Sequence, residues 1–311
     1  MPDREPITPR PYRCMDDLSR ILDFVGECNA LTELRGYAHP GDLGHNLSNL
    51  LRGQDPAPYL HLWEDRDGHV LAVAILYPPR LHGYELAVHP HHRGGELESA
   101  LVAWSERHVW VLMQSAGVEG TAVGTDVADC DPVRRNVLLR HGYISSGGPS
   151  FFYTTRSLLD PIPDSVLPEG FVIRSVAGEH EADALGAAHS GAFGSHWPPG
   201  EYLRVMRSPL YDPDRELVVV APDGRLAAFL VYWIDPVSRS GLFEPVGCHR
   251  DFQGKGLAKA LMLEGLRRMR GHGMTVAVVK HEHDNPAAAA LYASVGFRTL
   301  YALVEYRKPM R

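Results

Sequence analysis

One order of signals occurs twice in this sequence, once on each side of a proline-rich break. After the break, Glu216 to Val220 is apolar, Pro222-Asp223-Gly224 has turn chemistry, and Arg225 to Ile234 is apolar again, which predicts a hairpin. Leu242 to His249 reads as a further strand, apolar except for Glu244. Gly256 to Arg270 has helical periodicity, with Leu257, Leu261, Leu266 and Met269 on one side and Lys259, Arg267 and Arg270 on the other. A strand (Val276 to Lys280), an Ala-rich helix (Pro286 to Ser294) and a last strand (Leu300 to Tyr306) follow. Before the break the same order recurs. Tyr59 to Trp63 and Val70 to Tyr77 flank the turn Arg66-Asp67-Gly68; Tyr84 to Val88 reads as a strand and Glu96 to Met113 as a helix. A second helix, Asp131 to Arg140, is closed by His141-Gly142-Tyr143. The chain therefore reads as an internal duplication of one α+β unit of about 150 residues.

The break itself is Leu158 to Gly170, where Pro161, Pro163 and Pro168 exclude a helix and disfavour a central strand. The expected organisation is an N-terminal domain over 1–157, a linker over 158–169 and a C-terminal domain over 170–311. Between linker and hairpin, Phe171 to Arg174 reads as a short strand, Glu179 to Phe193 as a helix and Glu201 to Met206 as a short helix.

Composition narrows the classes. Apolar residues at 44% and charged residues at 22% suit a globular protein and exclude a disordered or disulfide-framework chain. The longest apolar run, Leu226 to Ile234, is nine residues, against the roughly 20 that a membrane span needs. The charged start, MPDREPITPRPYR, has no apolar core behind it and does not read as a secretory signal. The net charge of −7 and the absence of a long Lys/Arg block argue against a nucleic-acid partner. Cys14, Cys28, Cys130 and Cys248 are far apart and read as reduced thiols. The expected compartment is the cytoplasm, with no membrane partner and nothing that fixes the oligomeric state.

The chemistry-bearing stretch is Glu244 to Leu261, EPVGCHRDFQGKGLAKAL, a strand running into a Gly-rich turn that opens a helix. A helix start offers unpaired N–H groups and the positive end of the dipole, and glycine lets the backbone approach an anion. That combination makes a diphosphate cradle. The spacing matches neither a Walker loop nor a dinucleotide fingerprint. Instead, Gln253-x-x-Gly256-x-Ala258 resembles the Arg/Gln-x-x-Gly-x-Gly/Ala loop of the GNAT acetyltransferase superfamily. The superfamily's second hallmark follows at the usual distance, as Asn285-x-x-Ala288-x-x-Leu291-Tyr292-x-x-x-Gly296-Phe297. The two-unit layout is similar to that of the mycothiol synthases, and aminoglycoside-type and peptide N-terminal acetyltransferases share the unit.

The resemblance implies two tandem GNAT units, each a mixed, mostly antiparallel sheet flanked by helices. It implies acetyl-CoA as co-substrate, no metal, and transfer to a primary amine of a small molecule or a peptide. The backbone of Gln253, Gly254, Lys255, Gly256, Leu257 and Ala258 would hold the diphosphate. Val246, Gly247 and Cys248 would pair with the pantetheine arm, and Asn285 would lie near it. Pro245, which cannot donate to a ladder, suits a place where neighbouring strands part. Tyr292 matches the tyrosine that protonates the departing thiolate. Glu244, on the same strand face as Cys248, is the candidate general base. His196 and Trp197, in the stiff loop Ser195-His196-Trp197-Pro198-Pro199, and His281, just before Asn285, are candidate acceptor contacts. The rival reading is a non-catalytic acyl-CoA sensor or partner-binding module, which would keep the cradle but need neither Glu244 nor Tyr292.

The first half lacks this equipment. Aligning the repeats sets Arg93 on Gln253, Glu96 on Gly256 and Glu98 on Ala258, so two carboxylates would confront a diphosphate. At an effective dielectric of about 20, like charges 4 Å apart cost on the order of 4 kcal/mol. Sliding the register by one restores Gly95 but puts Leu97 where a small residue is wanted. Asp131 aligns with Asn285, and Leu138 then falls on Tyr292, where it cannot donate a proton. The first unit is expected to keep the fold without the catalysis, and to shape the acceptor pocket or the packing between units. His89, His91 and His92 read as a solvated loop, and His281 and His283 as no metal site.

Overall fold

A computed structural model describes residues 8–50, 55–208 and 210–310. In chain order its first elements are β1 (Pro9–Pro11), α1 (Met15–Leu31), α2 (Pro40–Leu50), β2 (Leu60–Glu64), β3 (Val70–Leu76), β4 (Tyr84–Val88), α3 (Glu96–Ser115), β5 (Ala122–Ala128), α4 (Pro132–Arg140) and β6 (Ile144–Ser157). There follow β7 (Val172–Ser175), α5 (Ala182–Phe193), α6 (Leu203–Met206), β8 (Glu216–Val220), β9 (Leu226–Asp235), β10 (Ser240–Cys248), α7 (Leu257–Gly271), β11 (Val276–Glu282), α8 (Pro286–Ser294) and β12 (Arg298–Pro309). Mixed, mostly antiparallel sheets with helices against them give the expected α+β class. Among the described residues no helix is long and apolar enough to cross a membrane.

The chain forms two compact units that interleave in sequence. The first takes residues up to Pro40, Gly53–Phe152 and Leu300 onward; the second takes Gly41–Arg52 and Tyr153–Thr299. The passage between them therefore runs through β6 rather than through the proline-rich stretch. That stretch has no helix or strand, and Arg156 Nη2 donates to Pro161 O at 2.8 Å there. Proline spacing locates a gap in regular structure. It does not say which sheet the preceding strand joins.

In the first unit β1–β4 form an antiparallel sheet. β5 pairs with β12, from Leu303↔Ala128 to Pro309↔Ala122, and β6 lies beside β12. Just ahead of β4, Gly83 makes a parallel bridge to Gly124 of β5. The core holds Leu101, Val109 and Met113 of α3, Leu138 of α4 and Tyr306 of β12.

In the second unit the order is β6-β11-β10-β9-β8-β7. The expected apolar side of α7 (Leu257, Leu261, Leu266, Met269) is buried against Leu230 and Phe243. Gly265 lets the helix approach closely, since a Cβ there would lie 2.6 Å from the Phe243 ring. The short chain-local pattern of 3.6 and 2 thus suffices to place this unit's central layers.

Candidate active site

The strand that carries Glu244 leaves its neighbours there. β10 pairs in parallel with β11 from Ser240↔Val276 to Leu242↔Val278 and no further. Against β9 it pairs up to Phe243↔Tyr232, shifts register, and resumes at Val246↔Leu230 through Cys248↔Ala228. Pro245 falls in the shift, where a missing N–H breaks no ladder bond, so the parting of strands expected from this proline is present. Trp233 Nε1 donates to Glu244 O at 2.8 Å and holds the displaced segment. Gly247 lies so close over Phe229 that a Cβ would sit 2.3 Å from the ring.

The loop beyond β10 leads into α7 through two left-handed glycines. His249 opens a single 3-10 turn over Arg250–Phe252 by accepting from Asp251 N. Gly254 and Gly256 follow with φ of +77° and +76°, a region that side-chain-bearing residues avoid, and nothing lies within 4 Å of either missing Cβ. Leu257 then starts α7, and the first intrahelical bond is Ala260 N to Gly256 O. The amides of Leu257, Ala258 and Lys259 belong to the turn that has no intrahelical acceptor. Gln253 Nε2 reaches back to Cys248 O at 3.4 Å, bracing loop to strand. The Leu257 side chain is buried, Ala258 is half-buried, and Lys255 is exposed. Open space, convergent N–H groups and the helix dipole fit the diphosphate that the motif implies.

Two titratable groups, Glu244 at the parting of β10 and Tyr292 on α8, are coupled through charge. Tyr292, on α8, is 8% exposed. Burial raises its phenol pKa, and the Glu244 charge adds to the rise, so the hydroxyl keeps its proton at neutral pH. Glu244 itself is pushed up to about 7, by burial first and by Asp42 second, with Lys280 opposing. Lys280 Nζ donates to Asp42 Oδ2 at 2.9 Å. Asn285 caps α8 by accepting from Ala288 N at 3.0 Å, with Pro286 in the first turn. The His281 ring centre lies 5.8 Å from that of Tyr292, and His281 Nδ1 faces Glu282 O at 2.9 Å.

A cavity of about 350 Å³ opens at Glu244 and Pro245. Trp197 lines it, as the sequence suggested; His196 is exposed and does not, and His281 lies off its wall beside Tyr292. Sequence reasoning missed most of the wall: His45 on α2, His189 and Phe193 on α5, Tyr202, Tyr211, and Trp233 on β9. Behind it lies Glu216, fully buried, accepting from Tyr202 and Tyr211 hydroxyls at 2.6 Å each. Burial pushes this carboxyl up to about 7, against the lowering effect of the two hydroxyls. An acid heading the apolar run Glu216 to Val220 was the one local signal of this network. α2 reaches the cavity by close packing: a Cβ on Gly44 would lie 3.6 Å from the Trp233 ring.

The first unit reproduces the scaffold and fills the cradle. His89 opens the matching 3-10 turn, and Gly94 has φ +74° where Gly254 has +77°. There the likeness ends, because α3 starts at Glu96 with ordinary helical geometry where Gly256 is left-handed. Glu96 is exposed, but Glu98 does not face outward as the alignment implied. It is fully buried, and its carboxylate accepts the Gly94 N–H and the Nε groups of Arg93 and Arg134. This is a helix N3 glutamate reaching back to the preceding loop. Burial works to raise the Glu98 pKa, yet Arg134 and Arg93 outweigh it and hold the carboxyl below its ordinary value. Asp131 caps α4 as Asn285 caps α8, and Leu138 packs in the core where Tyr292 stands. Glu98→Ala leaves Arg134 buried without its carboxylate, while Arg93 keeps Asp131, so a loss of about 3–5 kcal/mol is expected. Differential scanning calorimetry should show the first unit melting about 10 °C lower; an unchanged trace would mean Arg134 finds another partner.

Residues 182–297 match the family described as Acetyltransferase (GNAT) family. The chain is 31% identical over 238 residues to a mycothiol acetyltransferase of Streptomyces coelicolor, covering 72% of this chain and 70% of that one. It is 27% identical over 318 residues to a mycothiol acetyltransferase of Saccharomonospora viridis, covering 98% and 89%. Among solved structures, a GCN5-related N-acetyltransferase from Sphaerobacter thermophilus superimposes with a TM-score of 0.63 at 22% identity, over 98% of this chain and 96% of that one. A tandem GNAT protein from the clavulanic acid biosynthesis pathway gives 0.65 at 17% identity, over 97% and 98%.

Proposed function

We propose, from the premise that this chain belongs to the GNAT acetyltransferase family and is an acetyl-CoA-dependent N-acetyltransferase, that the transfer takes place in its second unit. The observation that carries this is the parting of β10 from β11 at Glu244, just ahead of a Gly-rich helix start, with Tyr292 close enough to feel the Glu244 charge. Acetyl-CoA supplies the activated acetyl group. The amides from Gly254 to Lys259 hold its diphosphate, and Val246, Gly247 and Cys248 present their backbone to the pantetheine along the edge that β11 vacates. Glu244 takes the proton of the attacking amine. Backbone N–H groups of the same segment favour the charge that develops on the carbonyl oxygen. Tyr292 gives its proton to the departing sulfur, and Asn285 positions it by capping α8. The first unit, with Glu98 in its cradle and Leu138 in place of the tyrosine, is non-catalytic.

The acceptor is a small-molecule primary amine. The free state of all four cysteines supports a reducing compartment such as the cytoplasm.

The test of the acid is Tyr292→Phe. Turnover, followed as CoA thiol release, should fall about 10²-fold or more while acetyl-CoA affinity stays within about twofold. Full turnover would pass the proton to another donor, and an indifferent CoA site with no turnover in the wild type would favour a sensor.

Glu244 accepts a proton only when ionised, so kcat/KM should rise with pH through an acidic limb near 7, where its pKa lies. Asp42 pushes that pKa up and Lys280 pulls it down. Asp42→Asn should therefore move the limb to lower pH, and Lys280→Met to higher pH. A limb that neither change moves would belong to another group.

A further inference from the structure

We propose that the acceptor is a primary amine carried on a flat, apolar body, of the arylalkylamine class, rather than a polyhydroxylated or anionic amine. This rests on the reading of Glu244 as the base, since it takes the cavity that opens at Glu244 as the acceptor site.

The wall of that cavity is mostly ring faces, and its polar groups are largely engaged within the protein. Trp233 Nε1 donates to Glu244 O at 2.8 Å, and Trp197 Nε1 to Ser195 Oγ at 3.0 Å. Ser195 Oγ in turn reaches His189 O at 3.4 Å. The hydroxyls of Tyr202 and Tyr211 both give their protons to Glu216. With the Tyr202 proton so directed, His189 Nε2, at 3.2 Å from that oxygen, is assigned as the donor to it. Among the described lining residues there is no Lys, Arg, Asn or Gln, and Glu244 is the single carboxylate.

Each hydroxyl of a polyol would leave water for a wall with few donors or acceptors to replace it, a net loss. An anionic acceptor would meet the Glu244 charge, and the nearby cation, Lys280, is already paired with Asp42. An aromatic body gains burial against Trp197, Trp233 and Tyr202, and the cation of an ammonium group is favoured over ring faces on its way to Glu244. A cavity of about 350 Å³ is at the small end for ligand sites, roughly 300–1,000 Å³, and suits a single bicyclic or monocyclic amine.

The full chain with acetyl-CoA, tested on phenethylamine, tryptamine, glucosamine and glutamate, decides this. CoA release should give a kcat/KM at least 100-fold higher for the two arylalkylamines. Calorimetric titration of tryptamine should give a dissociation constant that Trp197→Ala weakens tenfold or more and Trp197→Phe largely restores, which separates a lost ring from a misfolded loop. Glucosamine or glutamate acetylated as well as tryptamine would overturn the proposal and leave the transfer reading standing. Tryptamine bound in a Trp197-dependent way but never acetylated would keep the pocket and overturn Glu244 as its base. Tryptamine neither bound nor acetylated would overturn the proposal outright.

Discussion

Gly256→Glu is expected to abolish acetyl-CoA binding as read by calorimetry, turning one site per chain into none. Two costs add. A residue with a Cβ at φ +76° is strained by about 1–2 kcal/mol. A carboxylate about 4 Å from a phosphate in a medium of effective dielectric near 20 costs on the order of 4 kcal/mol more. Together they exceed about 5 kcal/mol, and each 1.4 kcal/mol is tenfold, so the affinity falls more than about 10³-fold. Gly256→Ala carries the strain alone and should lose about tenfold. Equal losses in the two variants would mean the charge faces solvent rather than the ligand. Two sites in the wild type would mean that the loop closed by Glu98 also binds.

Glu244→Gln should leave that affinity within about twofold and lower kcat by about 10²–10⁴-fold, the range for removing a positioned general base. Glutamine keeps the shape and the backbone oxygen that Trp233 holds, but it cannot take a proton. The acidic limb near pH 7 should vanish from the profile with it. A variant with unchanged kcat would transfer the role of base to another group or to water.

The second unit was largely legible because its signals are local. The hairpin of β8 and β9, the helix α7 and the cap-to-glycine span of α8 each follow from spacing within a short window. Gly254 and Gly256 stand in left-handed backbone, the conformation that glycine adopts at least cost. The first half was read less fully. β6 contains Gly147, Gly148 and Pro149, which read as loop chemistry, yet it forms a strand of 14 residues because its neighbours supply the ladder. α2 (PGDLGHNLSNL) carries two glycines and two asparagines, poor helix formers, and went unread. With it went Asp42 and His45, whose partners Lys280 and Trp233 lie far away in sequence. Trp197 could be picked out because it sits in a stiff aromatic loop. Trp233 could not, because at the end of an apolar strand it looks like ordinary core.

The pairing of β12 with β5 also sets an order in time. β5 is translated before most of the second unit, and its partner strand β12 only after it. Domains generally fold as they leave the ribosome, N-terminal first. Here β5 must wait with an open edge while the rest of the second unit emerges. That edge is short, and β5 carries Asp126 within it, which opposes pairing with other chains during the delay. A nascent chain stalled before β12 would leave β5 without that partner strand, so the first unit's sheet stays incomplete until the second unit has been made.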